Sequence, residues 1–370
     1  MIICVELFYD GHIHEECNSG MIRLIAQHTD DEIYVVAGSE HIAALKEMGI
    51  PQKVHFIPVI VPHFLLGEKK ENEELYFCLL HETVRQLGVT AGDKIFVMYS
   101  SKAITMAMLR IADLYKTSSF FIEHSNLECL LREETEQGTY TYKNIINKVG
   151  KSKSAYIISF SPYANELLKD IISPEANKKL YFINHPVDGT PLKHEQKAEN
   201  CSVIGVYGAC VNSNFHSVLK RMYKNRNYIF QVLRKTSLEG LDATYMFPNN
   251  VELHQKVNIF SFDEQKKYLE RMDWILLPYS QSTYHIRMSG ILADAIHFER
   301  PVIALKFPII DWYNRKRTIG IVEPTIERLV ERLERDRIEE QYEYYVNNIR
   351  QLKRDMDIEN NILMRKILDL

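Results

Sequence analysis

The stretch Asp273 to Ala304, DWILLPYSQSTYHIRMSGILADAIHFERPVIA, limits the fold more than any other part of the chain. Trp274 to Leu277 is a short, wholly apolar run closed by Pro278, the pattern of a strand buried on both faces. A polar loop follows from Tyr279 to Arg287. Ser289-Gly290 then opens a helix whose apolar residues Ile291, Leu292, Ala295 and Ile296 share one face. Pro301 leads into a second apolar run, Val302 to Leu305. Two buried strands joined through a helix must be parallel, so helices have to cover the sheet. A Ser-Gly helix start also presents free N–H groups and the positive end of the helix dipole, which suit a phosphate. Asp294, one turn further in, is within reach of a sugar hydroxyl. Together they outline a nucleotide-sugar pocket, although most such junctions in α/β proteins bind nothing.

The same alternation fills the chain. Apolar runs predict strands at Ile2 to Leu7, Ile33 to Ala37, Val54 to Val59, Lys94 to Met98, Ser119 to Glu123, Ala155 to Phe160 and Lys179 to Ile183. Helical patterns such as Glu73 to Gln86 and Ala103 to Tyr115 lie between them, and Ser161-Pro162 reads as a helix start. Pro186 to Asn200 has Pro, Gly and charges without apolar periodicity, which marks a boundary. Beyond it strands are expected at Cys201 to Tyr207, Tyr228 to Leu233, Val257 to Phe260, Trp274 to Leu277, Val302 to Leu305 and Ile319 to Val322. Ser261 to Glu264 is a capping-box pattern ahead of a helix to Met272. The expected fold class is α/β, with two doubly wound Rossmann-like domains, residues 1–186 and 201–340, facing across a cleft. Residues 341–370 form a charged helical tail. Ligands belong at the carboxyl ends of the strands.

Composition excludes several classes of function. A length of 370 residues suits two domains, and 46% hydrophobic with 25% charged residues is ordinary for a globular protein. A formal net charge of -4 gives no basic excess for a nucleic-acid backbone. No apolar run approaches the ~20 residues of a membrane span, and MIICVELFYDG reads as a first strand rather than a signal peptide. The six cysteines, Cys4, Cys17, Cys78, Cys129, Cys201 and Cys210, include no CxxC pair and read as thiols of a reducing cytoplasm.

Other candidate residues follow strand ends. The first strand leads into Phe8-Tyr9-Asp10-Gly11-His12, a glycine-containing turn that is neither GxGxxG nor a Walker sequence. His12, His14, Glu15 and Glu16 lack the helical spacing of HExxH, so no metal is expected there. His124 stands directly after the strand FFIE, a position for a ligand or for a backbone-bonded loop histidine. Gly208, ending the strand before Ala209-Cys210, lets backbone approach a diphosphate. Arg234, Lys235 and Arg287 are candidate cations for that charge. The apolar segment Val59 to Gly67 is either core or a face for a lipid-linked acceptor.

The segment from Asp273 to Ile303 resembles the donor-binding segment of GT-B glycosyltransferases, above all the retaining group called family four. The matching residues are Asp273, Leu276, Leu277, Pro278, Ser289, Gly290, Asp294, Ala295, Pro301, Val302 and Ile303, and a weaker likeness covers nearly the whole chain. The resemblance implies that Ser289 and Gly290 hold phosphate, Asp294 contacts the ribose, and Gly11 and His124 lie near the reacting sugar. It also implies retention of anomeric configuration, no cofactor, no essential metal, and a terminal helix crossing back onto the first domain. Three departures stand out. Ile286 replaces the first of two glutamates, and Ala209, Cys210 and Asn212 stand where an arginine and a lysine are usual.

The expectation is a cytoplasmic glycosyltransferase, with peripheral contact at the inner face of a membrane. It would move a sugar from a nucleoside diphosphate donor, UDP favoured, to a saccharide or lipid-linked hydroxyl acceptor in surface polysaccharide or glycolipid synthesis. The rivals are a nucleotide-sugar epimerase or hydrolase of the same fold, and a noncatalytic partner subunit.

Overall fold

A computed structural model describes residues 1–60, 69–131, 140–186, 201–235, 249–257 and 260–370. Most of the apolar segment Val59 to Gly67 and nearly all of the boundary segment Pro186 to Asn200 lie outside the described residues. Two compact units separate. The first comprises Met1–Asp188, Ile286–Met288 and Asp357–Leu370, and the second Gly189–His285 and Ser289–Met356.

The first unit holds β1 (Ile2–Glu6), β2 (Ile33–Ala37), β3 (Val54–Pro58), β4 (Lys94–Val97), β5 (Ser118–Glu123), β6 (Ala155–Ser159) and β7 (Leu180–Phe182). They form one parallel sheet of order β3-β2-β1-β4-β5-β6-β7. Every residue of β1 is buried, which explains its unbroken apolar run apart from Glu6. Strand order reverses between β1 and β4, so the crevice for a ligand lies beyond their carboxyl ends. The chain segments following β1 and β5 carry Gly11 and His124.

The second unit holds β8 (Ser202–Tyr207), β9 (Tyr228–Lys235), β10 (Val251–Lys256), β11 (Trp274–Leu277), β12 (Val302–Leu305) and β13 (Gly320–Glu323). Their order is β10-β9-β8-β11-β12-β13, again parallel, with the switch between β8 and β11. The run Trp274 to Leu277 is at most 1% exposed, and burying side chains of this size stabilises by roughly 1.5–3 kcal/mol each. Asp273, the polar residue just ahead of it, ties the two central strands together by accepting the Val203 N–H at 2.6 Å. Its place in the motif is therefore accounted for structurally.

Three expectations need correction. The strand expected at Val257 to Phe260 stands earlier, at Val251–Lys256, and residues 258–259 lie outside the described set. Its residues are all half-buried at the sheet edge, so VELHQK carries no apolar run to detect. Ser161 does not cap a helix. Its hydroxyl accepts the Tyr163 N–H at 3.2 Å in a turn, and the helix is Ala164–Leu168. The helix after Ser261 ends at Leu269 rather than Met272, although its capping box is present.

The terminal helix runs Tyr342–Leu368, and its residues from Asp357 belong with the first unit. There Asn360 accepts the Asn184 N–H at 2.8 Å and donates to the Asn184 carbonyl at 3.0 Å. Among the described residues, no helix is long and apolar enough to cross a membrane.

Candidate active site

In the second unit the helix Gly290–His297 follows β11 as expected. Ser289 is its N-cap, and its hydroxyl accepts the Leu292 N–H at 3.2 Å while bonding the Tyr279 hydroxyl at 3.0 Å. Tyr279 is buried and its phenol is held well above its ordinary pKa, first by desolvation. The Ser289 side chain is thus committed to holding the helix start, and the groups left to meet an anion there are backbone N–H groups. A Cβ added at Gly290 would meet nothing within 4 Å among the described residues, so the first helical residue opens onto space there.

Asp294 lies one turn further in and is 7% exposed. Its carboxylate accepts the Tyr207 hydroxyl at 3.1 Å. Tyr207 is the last residue of β8, so the switch point itself fixes the acid. Gly208 comes next at φ +53°, the left-handed region that glycine enters without strain, and a Cβ there would lie 3.2 Å from Ile291 Cδ1. Gly208 therefore faces the same helix that Ser289 caps, with Ile291 where its side chain would be.

The segment after β8 supplies no cation. Cys210 is buried and its thiol is pushed up to about 12 by desolvation. Asn212 caps the helix Ser213–Met222 by accepting the Phe215 N–H at 3.1 Å, while Asn214 donates to the Pro278 carbonyl at 3.0 Å. Arg234 and Lys235 end β9, next to β8. Ile286 and Arg287 count with the first unit, where the Glu128 carboxylate accepts their N–H groups at 2.7 and 3.2 Å. Ile286 is 2% exposed and packs in that unit's core. Ile286 is thus an apolar core residue of the first unit.

In the first unit Glu6 ends β1 and accepts the N–H groups of Phe8 at 2.9 Å and Tyr9 at 3.0 Å. Burial nevertheless pushes its carboxyl up to about 7. Asp10 accepts the N–H groups of Gly11 at 2.9 Å and His41 at 2.7 Å, and His41 Nδ1 bonds the Gly11 carbonyl at 2.8 Å. Gly11 itself has φ +64°. His12 Nδ1 bonds Glu15 at 2.6 Å.

His124 is partly exposed, and its Nε2 donates to the Met98 carbonyl at 2.8 Å. Its ring stacks on His14 at 4.3 Å with 1° between planes and meets Phe160 edge-on at 5.2 Å. Burial in this aromatic setting lowers its pKa to about 4, so the imidazole is neutral at neutral pH. With Nε2 as the donor, Nδ1 carries the lone pair and suits a hydroxyl better than a phosphate oxygen. Sequence reasoning did not connect His124 with His14, His185 or Cys17, which are far apart in the chain and carry no common motif.

No protein-family model matches the sequence, and comparison with curated proteins finds no relative. The fold does have solved relatives. Anabaena HepE, in complex with UDP and glucose, is 12% identical with TM-score 0.67 and covers 100% of this chain and 99% of its own. Sucrose-phosphate synthase from Thermosynechococcus elongatus is 12% identical with TM-score 0.68 over 100% and 99%. Arabidopsis thaliana UGT89C1, complexed with UDP-L-rhamnose, is 10% identical with TM-score 0.61 over 100% and 99%. The chain therefore has the GT-B glycosyltransferase fold, two Rossmann-like α/β units.

Proposed function

We propose that this chain is a glycosyltransferase that moves a sugar from a UDP-sugar to a hydroxyl acceptor, with retention, in making a surface polysaccharide or glycolipid. The observation that carries the reading is the β8–β11 switch point. There Gly208, the open helix start at Gly290 and the Tyr207-held Asp294 converge on one helix. The fold supports the class of reaction, and the UDP and UDP-sugars bound to HepE and UGT89C1 support the choice of nucleotide.

The diphosphate would lie on the backbone N–H groups at Ser289-Gly290, with Gly208 allowing close approach and Asp294 accepting from a ribose hydroxyl. As the sugar–phosphate bond breaks, negative charge grows on the diphosphate, and fixed N–H dipoles stabilise that charge without reorganising. Arg287 is proposed as a cation for the same charge. Gly11 and His124 are proposed for the sugar side, with His124 Nδ1 accepting from a sugar hydroxyl. No general base is required if the leaving phosphate takes the acceptor proton.

The test is a thermal-shift screen of nucleotides and UDP-sugars, followed by product analysis. A ligand that binds only the folded state raises its apparent stability. Stabilisation by UDP with sugar transfer to an added acceptor supports the reading. Isomerised or free sugar formed without acceptor supports an epimerase or hydrolase, and donor left unchanged under all conditions supports a noncatalytic subunit.

A further inference from the structure

The first unit holds a second constellation, of which the proposed transfer uses only His124. We propose that Cys17, His124 and His185 form a binding site for a thiophilic divalent cation, with Zn2+ as the first choice. One ligand atom of each residue lies within 4.8 Å of the other two, the one such group of three among the described residues. Thiolate with two imidazoles is the donor set that zinc prefers.

The surroundings prepare these atoms for a metal. His124 donates its Nε2–H to the Met98 carbonyl, which leaves Nδ1 as a neutral donor of electrons. His185 Nδ1 is buried without a hydrogen-bond partner. A backbone carbonyl on one ring nitrogen is what fixes the tautomer and orientation of metal-binding histidines. Leaving a buried nitrogen unsatisfied costs free energy, which coordination would recover. Cys17 is buried in the first turn of the helix Glu15–Ala26, where burial and the nearby Glu16 and Glu6 carboxylates hold its thiol well above the ordinary value, so the metal itself has to displace the proton.

His14 lies beside the site. Its ring lies flat on His124, and its Nδ1 is also buried without a partner. Bonds of about 2.0–2.3 Å around tetrahedral zinc require the three ligand atoms to draw together by roughly 1 Å, within the reach of side-chain rotation. On binding, the Cys17 thiol forms an S–metal bond and releases its proton to solvent. The site does not depend on the glycosyltransferase reading. One consequence does rest on that reading: a bound ion takes the lone pair of His124, so loading would inhibit transfer.

The experiment uses the full-length chain freed of metal by chelator, with the exposed Cys78 and Cys129 replaced by serine to remove surface thiols. Titration with Co2+ should give a stoichiometric thiolate-to-cobalt absorption band and tetrahedral d–d bands, and Zn2+ should displace both. Cys17→Ser should abolish the thiolate band, and His185→Gln should weaken binding at least tenfold while circular dichroism stays unchanged. Absence of the band in the parent protein, or its persistence in Cys17→Ser, would overturn the proposal. If Cys17→Ser fails to fold, unaltered affinity in His185→Gln would overturn it as well. A metal site in a protein whose metal-free form also fails to transfer sugar would reject the transferase reading and leave this one standing.

Discussion

Tyr207 and Asp294 are 87 positions apart in the chain, and the tyrosine hydroxyl donates to the carboxylate at 3.1 Å. The bond links the end of β8 to the helix after β11, the two elements flanking the switch point. A carboxylate has four lone-pair positions, so one such bond does not exhaust its acceptors. Asp294→Ala should therefore weaken UDP binding by about 1.5–3 kcal/mol, the cost of a lost charged hydrogen bond to ribose. Calorimetric titration checks this. Unchanged affinity in a folded variant would make Asp294 a purely structural partner of Tyr207.

Gly208 combines φ +53° with an Ile291 methyl 3.2 Å from its absent Cβ. Gly208→Ala should destabilise by about 1–2 kcal/mol from backbone strain. Gly208→Asn should cost less, since asparagine enters the left-handed region more readily. Urea midpoints for the two variants measure the difference, and an equal loss in both would point to the methyl contact as the dominant cause.

His124→Ala should lower kcat more than it lowers nucleotide affinity. A hydrogen bond to a sugar hydroxyl that strengthens in the transition state contributes about 1 kcal/mol or more, roughly fivefold in rate. Transfer rate and UDP affinity measured on the same variant separate this from a structural role. Wild-type turnover with modest stability loss would assign His124 to its Met98 contact alone.

Glu6 makes stability depend on pH in a defined direction. Its folded pKa of about 7 lies above the ordinary carboxyl value of 4.5, so between these values the folded state holds more protons than the unfolded. Its contribution is then complete below about 4.5 and lost as pH rises through about 7. The stability of the wild type relative to Glu6→Gln should fall by about 3 kcal/mol across that window. A difference that stays flat from pH 4 to 8 would show that the Phe8 and Tyr9 N–H groups offset the burial.

Much of the framework was legible because its signals are local. Ile33–Ala37, Trp274–Leu277 and Val302–Leu305 coincide with their apolar runs, since central parallel strands are buried on both faces. Ser261 and Ser289 were legible as caps because a cap needs only the next three residues. The edge strand Val251–Lys256 was not, because its half-exposed faces relax the hydrophobic pattern. Nor was Tyr207 as the partner of Asp294, or the gathering of Cys17, His124 and His185, since only the fold brings such distant positions together. Ile286 was legible as a departure from the family pattern, but its burial in the first unit's core was not.

The central claim is that UDP lies against the helix start at Ser289-Gly290, and Gly290→Asp tests it most directly. The fold has room for the side chain, because among the described residues nothing lies within 4 Å of the added Cβ. An aspartate in the first turn favours the helix dipole by about 0.3–1 kcal/mol, so stability should hold or rise. The same carboxylate would occupy and repel the diphosphate position. Calorimetric titration should show UDP binding to the wild type and none to Gly290→Asp at equal thermal stability. Equal UDP affinity in both proteins would contradict the placement.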